Sequence, residues 1–170
     1  MRESPYPLEQ LLGMRFYGSD TPGIGGRLRA SAEDFIVEEV PCSVGTEGPF
    51  LICRLTKKDW DQQRAVKEVA KRLGISYKRI GFGGTKDKHA LTSQLISLKG
   101  ITPEEIARVQ IRDISIEPVG RSSSPLSLGS HSANRFTITI REAHSDPDII
   151  SSVTGVCRTG IPNYYGIQRF

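Results

Sequence analysis

The sequence predicts an α+β fold in which a largely antiparallel, mixed sheet is flanked by helices, and three features carry that reading. Several strand candidates follow one another with no helix between them. The clearest of them, Asn134 to Arg141, sets Phe136, Ile138 and Ile140 on one face against Arg135, Thr137, Thr139 and Arg141 on the other. The stretch from Asp59 to Leu73 changes to a helical period, with Val66, Val69, Ala70 and Leu73 on one stripe. A doubly wound parallel sheet would place a helix after each strand and bury both faces, so a polar strand face favours the antiparallel arrangement.

Taken in order, residues 1–25 contain Pro5, Pro7 and Pro22 and read as an irregular lead-in. Asp34 to Val40 and Phe50 to Leu55 are β-rich and joined by a turn region containing Pro and Gly, which predicts a strand pair. In the second strand Leu51, Cys53 and Leu55 alternate with Phe50, Ile52 and Arg54. The helix over Asp59 to Leu73 ends at Gly74, a C′ residue. A short strand at Arg79 to Phe82, a glycine turn at Gly83-Gly84 and a strand from Leu91 to Leu98 follow. Thr102-Pro103-Glu104-Glu105 has the spacing of a capping box with proline at the first helical position, and so starts a second helix. Ile111 to Val119 reads as strand, Arg121 to Ser130 as a Ser-rich loop, and Asp146-Pro147 opens a third helix that stops at Gly160.

A chain of 170 residues fits one domain whose core needs no disulfide or metal. Charged residues make up 25%, which argues against wholesale disorder. No apolar run approaches the roughly 20 residues that a membrane-spanning helix needs, and MRESPYPLEQ lacks a signal-peptide core. The expectation is a soluble, cytoplasmic protein. Cys42, Cys53 and Cys157 are odd in number without C-x-x-C spacing, while His89, His131 and His144 are scattered, so neither a disulfide framework nor a metal site is expected.

The net charge of +4 is unevenly spread. From Arg54 to His89 eleven Lys or Arg face four Asp or Glu, a local +7, and the rest of the chain carries 12 against 15, or −3. Such a block suits a polyanion, whose condensed counterions are released on contact, and equally suits a solvated helix face.

The glycine clusters do not make a nucleotide site. Gly23, Gly25 and Gly26 are followed by Leu28, and Gly81, Gly83 and Gly84 by Lys86, where the dinucleotide fingerprint requires a further glycine; neither matches a P-loop. No nucleotide cofactor is expected. Asp87 is more informative: it follows a flexible turn and is flanked by Lys86 and Lys88, which favour its ionised form. On these residues alone it is either a nucleophile or general base, or a surface turn with an Asp–Lys pair.

The longer segment Gly84-Thr-Lys-Asp-Lys-His-Ala-Leu-Thr-Ser-Gln94 resembles the motif around the catalytic aspartate of the TruD family of pseudouridine synthases, which isomerise uridine in tRNA. Gly26-Arg-Leu-Arg-Ala-Ser-Ala-Glu-Asp-Phe-Ile-Val-Glu-Glu39 is similar to the family's N-terminal segment. Gly160-Ile-Pro-Asn-Tyr-Tyr-Gly-Ile-Gln-Arg-Phe170 is similar to its G-[VI]-P-N-Y-F-G-x-Q-R-F-G motif, and Asn134-Arg-Phe136 matches its strand entry.

The resemblance implies a pseudouridine synthase-like catalytic domain that acts on tRNA, at uridine 13 by its likeness to the enzymes that modify that position, without a cofactor or metal. It implies that Asp87 is the catalytic aspartate, acting as nucleophile or by abstracting a ribose proton. Arg29 stands where the family has a basic residue near that acid, often Lys. Arg29, Lys86 and Asn163 are the implied substrate contacts, Asn163 either bonding the uracil edge or holding the catalytic loop, and Tyr165, where the family usually has Phe, is a stacking partner for the extruded base. Tyr164 and Phe170 read as core. Arg64, Lys67, Lys71, Lys78, Arg79 and Lys88, with the polar face of the Asn134 strand, are the candidate surfaces for gripping RNA. Family members run well past the last motif, so the expectation is an N-terminal portion of the catalytic domain, incomplete at its C-terminus, with little turnover alone. The competing readings are an RNA-binding module without catalysis and a basic scaffold for other proteins.

Overall fold

A computed structural model of the chain describes residues 2–18, 24–144 and the isolated positions 150, 154, 155, 157, 158 and 160. Two compact units result: Arg27–Arg141, and Met1–Gly26 together with Glu142–Phe170. In the second of these the lead-in is less irregular than its prolines predict. Helix α1 (Pro7–Leu11) has proline at its start, the Ser4 hydroxyl meets the Glu9 carboxylate, and Glu3 forms a β-bridge with Phe16. None of the residues of α1 is buried. The expected helix from Asp146 to Gly160 lies mostly outside the described residues.

The larger unit has the predicted class, an α+β arrangement on a largely antiparallel sheet. Its strands are β1 (Phe35–Pro41), β2 (Phe50–Lys58), β3 (Ile80–Phe82), β4 (Leu91–Lys99), β5 (Ile114–Ser122) and β6 (His131–Ile138). The order is β5-β2-β4-β1-β6, with β3 also on β4, and β1–β4 is the parallel pair. Helix α2 (Gln62–Arg72) and helix α3 (Pro103–Ala107) cover one face.

Strand β2 sets the core by alternation. Leu51, Cys53 and Leu55 stand opposite Leu98, Ile96 and Gln94 of β4, and α2 lays Val66, Val69 and Ala70 over them, joined by Ile101 and Ile106. Burying each such Val stabilises the unit by roughly 1.5–3 kcal/mol relative to leaving it in water. The helix is shorter than its periodic stretch because β2 runs on to Lys58 and Asp59 turns the chain in the left-handed region (φ 55°). Asp61 then caps by accepting from Arg64 N at 3.0 Å. At α3 the predicted capping box is present, with Thr102 and Glu105 bonded reciprocally.

Other boundaries moved for identifiable reasons. Residues Tyr77–Arg79 form a 3-10 turn, so β3 begins one residue late at Ile80. Asp113 (φ 61°) makes a turn closed by the Ile111–Ile114 bridge, which delays β5 to Ile114, while pairing with β2 out to Phe50–Ser122 carries the strand into the Ser-rich stretch. Strand β6 spans His131–Ile138 rather than Asn134–Arg141, because beyond it the chain meets the segment before β1: Thr139 N donates to Asp34 O, and Arg141 bridges Arg27.

Where β1 leaves β4 and β3 takes over, Leu95 N would lack a ladder partner. The carboxylate of Glu39 enters there and accepts from it at 3.2 Å.

Candidate active site

The loop between β3 and β4 carries Asp87, and three side chains hold it against the sheet. All three stand on the face that also carries Leu55 and α2, since Gln94 is opposite Leu55, Lys57 continues the parity of β2, and Glu39 follows Val37, whose partner Thr92 lies opposite Lys57. Gln94 Nε2 donates to Gly84 O at 3.1 Å. Lys86 Nζ lies 3.1 Å from Glu39 Oε2, and both side chains are buried. Lys57 Nζ donates to Asp87 O at 2.7 Å and to Trp60 O at 2.7 Å. Gly83 permits the close approach: a Cβ there would stand 3.0 Å from His131 Nδ1 and 3.4 Å from Glu39 Oε2.

With its backbone tied down, the loop presents the Asp87 carboxylate outward, 44% exposed, to Arg29 at 3.1 Å. Arg29 arrives from the segment before β1 in a left-handed conformation (φ 54°), its guanidinium 3.8 Å from the Phe35 ring centroid. Cation–π contact on one side and a carboxylate on the other fix the plane of the guanidinium. The segment is itself anchored, because buried Asp34 accepts from Arg141 Nε at 3.0 Å and from its terminal nitrogen at 2.7 Å. That arginine holds the Asp34 carboxyl below its ordinary pKa, against the opposing effect of burial.

Burial pushes the Lys57 ammonium down to about 8. The charges of Asp61 and Asp87 act against that fall, and Lys86 adds to it. An ordinary lysine would remain fully charged well above that pH.

The sequence candidates separate in this geometry. Asp87 and Arg29 come together. Lys86, adjacent to Asp87 in sequence, turns its ammonium to Glu39, so the cation in contact with the Asp87 carboxylate is Arg29. Lys78 and Lys88 are exposed. Arg64, Lys67 and Lys71 form the outer stripe of α2, opposite its buried residues, with Lys67 above the Tyr77 ring at 5.8 Å. Arg79 donates to the carbonyls of Lys99 and Gly100, which makes it a tie between the turn before β3 and the end of β4. On β6, Arg135 pairs with Glu38 and Thr137 with Ile36, so that polar face looks away from the Asp87 loop; Asn134 and Phe136, opposite Glu39 and Val37, share the loop's side. Asn163, Tyr164, Tyr165 and Phe170 lie outside the described residues. Among the described residues no three His, Cys, Asp or Glu side chains gather as metal ligands.

Sequence reasoning passed over Lys57, Glu39, Gln94 and Phe35. For Lys57 a signal existed: a charged residue sits on the apolar stripe Leu51, Cys53, Leu55 of β2.

Comparisons with known proteins bear on the family and the fold. The family model for tRNA pseudouridine synthase D (TruD) matches residues 11–170. A relative from Methanosarcina acetivorans that carries the name tRNA pseudouridine synthase D is 41% identical over 170 residues, covering 96% of this chain and 38% of its own length. One of the same name from Pyrococcus furiosus is 46% identical over 158 residues, covering 91% and 37%. A crystal structure from Methanosarcina mazei, described as TruD, superposes with a TM-score of 0.88 at 39% identity, covering 96% of this chain and 39% of that one. The chain thus spans about 38% of the length of the first of these relatives. With the family model matched over nearly all of its residues and the fold shared at that similarity, the chain belongs to the TruD family.

Proposed function

We propose that the full-length protein isomerises uridine in tRNA to pseudouridine, at uridine 13, and that Asp87 is the carboxylate acting on the target nucleotide. The observation that carries this reading is the Asp87 loop, tied by Lys57, Gln94 and the Lys86–Glu39 pair, with its carboxylate presented to Arg29. The reaction breaks the N1–C1′ bond and forms C5–C1′, while the proton lost from C5 is balanced by one gained at N1. Substrate and product contain the same atoms, so the net change requires no redox partner. A carboxylate that attacks the nucleotide or takes a ribose proton has to be ionised, and Arg29 supplies the adjacent positive charge. The target base has to leave its stack to reach Asp87, so the RNA backbone must be held nearby, a role that suits Arg64, Lys67 and Lys71. No helix among the described residues is long and apolar enough to cross a membrane.

The test is chemical mapping of pseudouridine on a tRNA transcript incubated with the full-length protein and its variants. Asp87→Asn and Asp87→Ala should give no product at uridine 13 and retain tRNA binding. Undiminished product from the alanine variant would remove Asp87 from the mechanism.

A second reading applies to residues 1–170 by themselves: RNA binding with little turnover. It is favoured by the 44% exposure of Asp87, since this chemistry needs a carboxylate shielded from water. Equal rates from this segment and the full-length protein would refute it.

A further inference from the structure

We propose that Lys57 is a positioning residue for Asp87, its ammonium fixing the backbone at residue 87 against the entry to α2 so that the carboxylate stays turned to Arg29. This rests on the reading of Asp87 as the reacting carboxylate.

Lys57 is 1% exposed. It occupies the next position on the strand face that Leu51, Cys53 and Leu55 devote to the core, where an apolar side chain would avoid the cost of burying a charge. What the lysine gains there is a pair of short contacts to main-chain carbonyls, Trp60 O and Asp87 O, each at 2.7 Å. Trp60 is three residues along the chain and Asp87 thirty; the ladder between β2 and β4 ends at Lys58–Leu91 and at Asp59 N donating to Ala90 O, and the ammonium carries the connection beyond it to residues 60 and 87. The Trp60 segment leads directly into Asp61, the cap of α2, and so into the helix that carries Arg64, Lys67 and Lys71. The Asp87 segment is the loop. The entry to the basic helix and the reacting carboxylate are thereby held in register before RNA arrives.

The groups that face this ammonium are Asp61 from the helix cap and Asp87 and Lys86 from the loop. At neutral pH the two carboxylates outweigh the lysine and the charge is retained. On the alkaline side, where Lys57 titrates near 8, its contacts lose their charge assistance and weaken.

The experiment compares the full-length protein with its Lys57→Met and Lys57→Gln variants, measuring tRNA affinity, single-turnover uridine conversion across pH 6–10 and hydrogen exchange in residues 83–90. Both variants should convert between about tenfold and 100-fold more slowly while tRNA affinity stays within about twofold, because a catalytic group displaced by an ångström loses rate and not binding. Exchange in residues 83–90 should rise, and the alkaline fall in wild-type rate should be absent from both variants. If Lys57→Met does not fold, Lys57→Gln, which keeps a polar N–H, gives the same reading. Wild-type rates and unchanged loop exchange in a folded variant would overturn the positioning role while leaving the Asp87 reading intact. A wild-type protein that forms no pseudouridine would instead overturn the Asp87 reading, and the positioning role with it.

Discussion

Arg29 meets Asp87 at 3.1 Å while its guanidinium lies 3.8 Å from the ring centroid of Phe35. Both partners of the ion pair are more than a third exposed by side chain, at 35% and 44%, so the pair adds little to folding. Exposed pairs of this kind contribute up to about 1 kcal/mol. Its value lies in orienting charge, and that separates two measurements. Arg29→Ala should leave thermal stability nearly unchanged and slow uridine conversion by the full-length protein by roughly tenfold or more, as the loss of one preorganised charge does at an active site. Arg29→Lys should fall between, since it keeps the charge and loses the flat fork that stacks on Phe35. Equal loss of stability and activity in Arg29→Ala would mean that the arginine serves the fold.

The anchor behind Arg29 has a pH signature. Asp34 is held below its ordinary pKa chiefly by the side-chain bonds from Arg141, so the folded state binds its proton less tightly than the unfolded state. Stability from this pair is therefore complete above the unfolded carboxylate pKa of about 4 and is lost as pH falls through the lower, folded value. A thermal scan of wild type and Asp34→Asn from pH 7 to pH 3 should show a gap in Tm that is widest at neutral pH and narrows towards the acid end. A gap that is constant with pH would remove the ionic contribution.

The parts of this molecule that were legible in the sequence are those set by local chemistry. The capping box at Thr102 and Glu105 works within one helical turn, and the apolar alternation of β2 together with the stripe of α2 dictates which faces meet. Asp87 and Arg29 were legible through motifs, although 58 residues separate them. The direction of Lys86 was not, because neighbours on an extended loop point to different sides and only the fold brings Glu39 beneath it. Lys57 was hidden in the same way. Its role depends on a carbonyl thirty residues on, and a pattern of apolar positions records the exception without its reason. The strand ends that moved, at Asp113 and after Ile138, depend on a left-handed turn and on a distant segment, neither of which shows in a short window.

Gly83 is predicted to be intolerant of a side chain. An added Cβ would stand 3.0 Å from His131 Nδ1, on a loop already bound by Gln94, Lys86 and Lys57. Gly83→Ala should cost about 1–3 kcal/mol, the usual range for overpacking a close-packed site. His131→Ala should recover part of that loss in the double variant, because it opens the space the methyl needs. Additive losses in urea denaturation would place the strain elsewhere.

The outer stripe of α2 gives a prediction in salt rather than in rate. Arg64, Lys67 and Lys71 lie on one exposed face, one to two turns apart, opposite the residues that bury the helix. If they neutralise tRNA phosphates, each contact releases counterions and adds roughly 0.7–0.9 to the slope of log affinity against log salt. Replacing all three by Gln should lower that slope by about 2–3 and weaken binding most at low salt, where the released ions contribute most. The Asp87 site is untouched by these changes, so single-turnover conversion at saturating protein should stay near wild type. Arg79 is the internal contrast: its guanidinium is committed to the carbonyls of Lys99 and Gly100, so Arg79→Gln should lower thermal stability and change the salt slope little. An unchanged slope in the triple variant would reduce the α2 stripe to a solvated helix face and move the RNA grip to another surface.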